Sequence, residues 1–174
     1  MPRASEGKSE KHSAVQAAGR CVCGEVRFEI DVPAVWAWHD HSARSRHAQG
    51  CAYATYVGSW RKRFRILQGE ERITRFEDKE ARTTRSFCAR CGTPLFYERA
   101  RSPQYVNIPR ALFETRTGRE PRYHMYLPEA ADWTYTGAPL GPLKGYPGVM
   151  WERPKKKAPK GLDAAWDDLV GPES

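Results

Sequence analysis

Two close cysteine pairs, Cys21-x-Cys23 and Cys88-x-x-Cys91, lie far apart in the chain and constrain its folding more than any other feature. Thiolate pairs carried on tight turns and brought together from distant segments are how a structural zinc is held, by four sulfurs in a closed tetrahedron. Gly24 and Gly92 follow the pairs and supply the backbone freedom that lets two neighbouring side chains converge. Ordinary buried thiols are the competing reading, but four of the five cysteines fall into these two pairs, which chance does not favour. A thioredoxin-like redox role for Cys88 and Cys91 would need a βαβ context, and the surrounding pattern does not offer one.

That pattern is mainly β. In "CVCGEVRFEIDV", Val26, Phe28 and Ile30 alternate with Glu25, Arg27 and Glu29, the period of a half-buried strand. Further short strands are expected at "AYATYVG", "FRILQG", "ITRFE", "TTRSFC", "PLFYERA" and "YVNIP", separated by glycine, proline and charged turns. Helix is scarce: "RALFET" allows one turn, and "LDAAWDDLV" places Leu162, Ala165, Trp166 and Leu169 on one side of a short helix. The expected organisation is a disordered leader over residues 1–18, one domain over 19–151 and a basic tail over 152–174. No apolar run approaches the roughly 20 residues of a membrane span, and the first residues have no apolar centre, so a soluble cytoplasmic protein is expected. The formal net charge is +8, but the arginines alternate with acidic residues and only "RPKKKAPK" is densely basic. That distribution reads as a solvated surface with a basic tail and argues against a nucleic-acid partner.

The richest chemical stretch is "WHDHSARSRHAQGC" at residues 38–51. His39, Asp40, His41 and His47 are all metal-ligand types. In an extended segment His39 and His41 point to one side and Asp40 to the other, so the three do not easily converge. Cys51 is either a nucleophile activated by His47 or His39, or a small packed residue, and packing is favoured. Arg82, Arg85 and Arg90 read as exposed strand and turn positions, and His124 as a packed strand residue.

Taken together, "GRCVCGEVRFEI", "HDHSARSRHAQG" with "AYATYV", "FRILQGEERITRF", "RSFCARCGTPLFY" and the late "YHMY…DW" resemble the glutathione-dependent formaldehyde-activating enzyme family, which includes centromere protein V. The resemblance covers about residues 19–136. It implies a β-tent fold of small antiparallel sheets around a structural zinc on Cys21, Cys23, Cys88 and Cys91. It also implies a second, catalytic zinc held by a segment of the form H-C-H-C-x-x-C-R-x-x-x-G, in a carbon-sulfur lyase that joins formaldehyde to the thiol of glutathione. His39, His41, Arg46 and Gly50 match that segment, but Asp40, Ser42 and Ser45 stand where it has cysteines. A serine hydroxyl stays protonated near neutrality and is a poor zinc ligand, so loss of the second zinc is expected.

The expected activity is therefore metal-free acid-base chemistry of lyase, dehydratase or isomerase type. Asp40 would work with His39, His41 or His47, Ser42 and Ser45 would orient the substrate, and Arg44 and Arg46 would hold an anionic group. One structural zinc is the only cofactor, and the substrate is a small molecule, a thiol or thiol adduct by resemblance. The rival expectation is a non-catalytic binding protein that uses the vacated pocket or the basic tail.

Overall fold

A computed structural model describes residues 15–134, 137 and 140–151 of the 174. The strands in chain order are β1 (Gln16–Arg20), β2 (Arg27–Asp31), β3 (Trp36–Asp40), β4 (Ala54–Trp60), β5 (Phe64–Gln68) and β6 (Ile73–Asp78). They continue with β7 (Thr83–Cys88), β8 (Pro94–Arg99), β9 (Tyr105–Pro109), β10 (Tyr123–Met125), β11 (Gly141–Pro142) and β12 (Val149–Trp151). One α-helix, α1 (Ala43–Gln49), follows β3, and single 3-10 turns make up the other helical pieces of the described residues. The chain is mainly β, as its alternation predicts, and most expected strands lie within a residue or two of where the pattern places them. No helix of the described residues is long and apolar enough to cross a membrane.

A small antiparallel sheet runs β1-β2-β5, and a large one runs β11-β12-β10-β3-β4-β9-β8-β7-β6. Within the large sheet β10 lies parallel to β3, and the other neighbours are antiparallel. The small sheet covers one face of the large one. Phe28, Ile30 and Phe64 from the small sheet are buried together with Ala37, Val57, Phe96, Val106 and Ile108 from the large sheet. Phe28 meets Phe113 edge-on at 5.5 Å between ring centres, and Phe64 meets Phe96 at 5.0 Å. These edge-to-face contacts add to the burial of large apolar rings, the main stabilising contribution of such a core.

The opposite face is set by the pairing register. Trp36 and Trp38 of β3 share it with Tyr56 and Gly58 of β4, Asn107 of β9, Tyr97 of β8 and Tyr123 of β10. A second apolar cluster of Trp38, Ala54, Tyr56 and Tyr97 forms there. Gly58 is required at its place because a Cβ would lie 2.0 Å from Nε1 of Trp36, whose ring crosses the strand at that point.

Two elements differ from expectation. β1 starts at Gln16, so residues expected to end the leader instead pair with β2. Ala17 is fully buried, and a Cβ on Gly19 would sit 2.6 Å from the Phe28 ring, so this strand is built of small residues that carry no apolar alternation. α1 stands in a segment where no helix was expected, and the extended part ends at Asp40. The helix has no apolar stripe. It is defined by its caps, Ser42 at one end and Gly50 with φ of 62° at the other. The expected turn in "RALFET" is present at Arg110–Leu112. Residues 1–14, the tail over 152–174 and the expected helix around Leu162 lie outside the described residues.

Candidate metal centre and acid-base cleft

The turn after β1 carries Cys21 and Cys23, and the β7 to β8 turn carries Cys88 and Cys91. Their four Sγ atoms all lie within 4.8 Å of one another. Cys21 and Cys23 are 3.4 Å apart, and Cys23 and Cys88 are 3.8 Å apart. Tetrahedral sulfurs about 2.3 Å from one metal would stand about 3.8 Å from each other, so the cluster has the size a thiolate metal site requires. Backbone geometry presets it. Gly24 N–H donates to Cys21 O at 3.0 Å, Gly92 N–H donates to Cys88 O at 2.9 Å, and both glycines have positive φ. Val26 N–H donates to Cys21 Sγ at 3.3 Å.

Thr93 ties the two turns together, because its hydroxyl accepts from Val22 N–H at 3.2 Å and lies 3.0 Å from Cys91 Sγ. Hydrogen bonds from the Thr93 side chain and backbone hold the Cys91 thiol down at about 5. A backbone hydrogen bond at Glu25 lowers Cys23, but burial and the neighbouring thiols outweigh it and push Cys23 up to about 12. Four sulfurs this close do not all ionise without a cation among them, and a divalent metal would supply one. Arg90 lies beside the cluster and donates to Glu25 Oε1 at 2.6 Å.

The residues at 39–50 divide between two sides of β3, as the strand period requires. On the aromatic face Asp40 is 1% exposed. Its Oδ1 accepts from Ser42 N–H at 3.0 Å and from Ser42 O–H at 2.6 Å. Ser42 Oγ in turn accepts from Ser45 N–H at 3.3 Å, which caps α1. Asp40, Ser42 and Ser45 thus form one hydrogen-bonded corner between strand and helix. Arg46 locks that corner by donating to the carbonyls of His41 at 3.2 Å and Glu129 at 3.1 Å. Two of the five N–H donors of Arg46 are thus spent on backbone carbonyls. Arg44 is likewise occupied, bridging to Asp78 and to Glu80.

On the other side, His39 and His41 meet His124, a residue the sequence reading left as simple packing. β10 lies parallel to β3 with His124 opposite His39. His41 Nε2 and His124 Nδ1 are 2.9 Å apart, and His39 Nδ1 lies 2.9 Å from Thr55 Oγ1. Tyr53 stands against both His39 and His41. Burial first, then the charge of His124, pushes His41 down to about 4, so it is neutral near pH 7. The structure therefore separates His39 and His41 from Asp40. His47 is exposed on α1 and lines a different cavity. Cys51 is half-buried against the aromatic cluster, and burial together with the Asp40 charge raises its thiol, which suits a packed residue rather than a nucleophile.

Asp40, Ser42 and Ser45 line a cleft of 570 Å³ whose walls include Arg82, Arg85 and Arg99. Arg101 lines it as well, and among the described residues none of these four arginines pairs with a carboxylate. Arg85 and Arg99 lie 5.2 Å and 5.4 Å from the centre of the Tyr97 ring, and Arg99 donates to the Tyr97 hydroxyl at 3.1 Å. The cleft wall thus carries Arg82, Arg85, Arg99 and Arg101 beside Arg44, which also lines it. Only the cross-strand register, with Arg85 opposite Tyr97, reveals this.

A family model described as glutathione-dependent formaldehyde-activating enzyme matches residues 16–129, more than half of the chain. Among solved structures, a crystal structure of a Rhodobacter sphaeroides protein matches at 22% identity, covering 57% of this chain and 89% of that one, with a TM-score of 0.49.

Proposed function

The chain belongs to the glutathione-dependent formaldehyde-activating enzyme family, and from that premise we propose a divergent member with one structural zinc and a metal-free acid-base site at Asp40. The zinc would be held by Cys21, Cys23, Cys88 and Cys91, where it neutralises the crowded thiolates and joins the small sheet to the large one. That junction also supports the β-tent reading of the two sheets.

The family's second zinc does not suit the residues present. Asp40, Ser42 and Ser45 offer one carboxylate and two hydroxyls where three thiolates would be needed, and they already satisfy one another in the corner before α1. His39 and His41 face the opposite side of β3 and are committed to Thr55 and His124.

The observation that carries the reading is the Asp40 carboxylate itself. It is buried where it lines the cleft, with Oδ1 fixed by the backbone N–H and the hydroxyl of Ser42. A carboxylate oriented in this way can take a proton from a bound molecule with Oδ2 and return it elsewhere, the step shared by lyases, dehydratases and isomerases. The unpaired arginines would hold the substrate's anionic group and stabilise negative charge that develops as the proton leaves. The same arginines also favour a second reading, in which the cleft binds an anion without transforming it.

Metal content and turnover test these readings together. The purified protein is expected to carry one zinc per chain and to leave formaldehyde with glutathione unconsumed. Two zincs per chain, or robust glutathione-dependent consumption of formaldehyde, would overturn the metal-free site. Once a substrate is in hand, Asp40→Asn is expected to lower kcat by at least a hundred-fold with unchanged zinc. A variant that retained its kcat would leave only the binding reading.

A further inference from the structure

Next to the Asp40 cleft lies a second cavity of 590 Å³ that the acid-base chemistry does not use. Its walls are aromatic, with Trp36, Trp38, Tyr105, Tyr123 and Tyr146 around it. The two cavities share Arg99 and Arg101, which stand at the junction between them. The alternation of β3 explains the arrangement: Trp36, Trp38 and Asp40 occupy successive positions on one face of the strand and span roughly 13 Å. A slot thus runs from ring-lined walls, past two guanidiniums, to the carboxylate.

We infer that the molecule bound in the slot is an aromatic acid, with a planar ring body between the tryptophans and tyrosines and a carboxylate head on Arg99 and Arg101. This rests on the Asp40 reading only for the chemistry that follows, because binding itself is set by the rings and the arginines. The Trp36 and Tyr105 rings, 4.6 Å apart, already present flat apolar surface. Gly58 keeps the sheet beneath Trp36 free of side chain. The buried Trp38 Nε1–H has no acceptor among the described residues, so this wall holds an unused donor as well as a ring face. Stacking on aromatic walls and a bidentate guanidinium contact favour the same ligand shape, a flat hydrophobe with one anionic end. Neither feature favours a flexible polar chain.

The experiment is a fluorescence and calorimetric titration of the zinc-loaded full chain with 2-naphthoate and, as the uncharged counterpart, 2-naphthalenemethanol. The expected result is saturable tryptophan quenching at one naphthoate per chain, at least ten-fold tighter than the alcohol. Arg101→Gln, at an exposed position, is expected to remove most of that preference, and Tyr146→Ala, also exposed, to weaken both probes several-fold. Asp40→Asn is expected to bind naphthoate as tightly or more tightly, since a negative charge leaves the far end of the slot. Failure of the acid-base reading would therefore appear as retained turnover in Asp40→Asn while these affinities stand. Equal affinity for the two probes, non-saturable quenching, or an unchanged preference in Arg101→Gln would overturn the inference.

Discussion

His41 shows how a residue at a motif position can be bound into the packing of the fold. It matches a family motif by sequence, yet it sits fully buried against His124 and Tyr53. Its folded value of about 4 lies below its ordinary 6.5, so between those values the unfolded chain binds the extra proton. Stability from this residue is complete above about pH 6.5 and is lost as the pH falls toward about 4, on the order of 3 kcal/mol in total. Urea unfolding at pH 7 and pH 5 should therefore show a marked loss in the wild type and a smaller one in His41→Gln. Thiolate protonation contributes equally to both proteins and cancels from the comparison. At this scale the cysteines were legible in the sequence because their signal is local spacing. The partnership of His41 with His124 was not, because it depends on a parallel pairing of β10 with β3 that no local pattern announces.

Among the elements, strands with clear alternation such as β2 and β7 were readable, whereas β1 and α1 were not. β1 is made of small residues that fit beneath Phe28, and α1 is a short helix signalled only by its caps. Ser42 serves both the cap and Asp40, so Ser42→Ala is expected to cost about 1 to 2 kcal/mol, measured by denaturant unfolding with the slope unchanged. Gly58→Ala should be the more damaging change, about 3 kcal/mol, because the new methyl and the Trp36 ring cannot share the space. It should also disturb the aromatic cavity, which quenching by 2-naphthoate would report. The arginines of the cleft belong to this scale too. Arg82 is exposed as its sequence position suggests, whereas Arg85 is half-buried with its guanidinium over the Tyr97 ring.

For the whole molecule, the decisive prediction concerns the metal. Cys88→Ser removes one of four thiolates from a cluster that stands where the small sheet meets the large one, and structural zinc contributes on the order of 10 kcal/mol to folding. The variant is expected to carry less zinc than the parent and to melt well below it or to accumulate as insoluble protein. Unchanged melting and zinc content by elemental analysis would refute the structural role. Chelation by 1,10-phenanthroline should give the same destabilisation in the parent and recover on adding zinc. The thiolate cluster is built on the turns after β1 and β7, and the cleft on β3, α1, β7 and β8, so one strand, β7, runs from the cleft at Thr83 and Arg85 to the cluster at Cys88. A metal that pins Cys88 therefore also steadies the strand that carries Arg85 into the cleft.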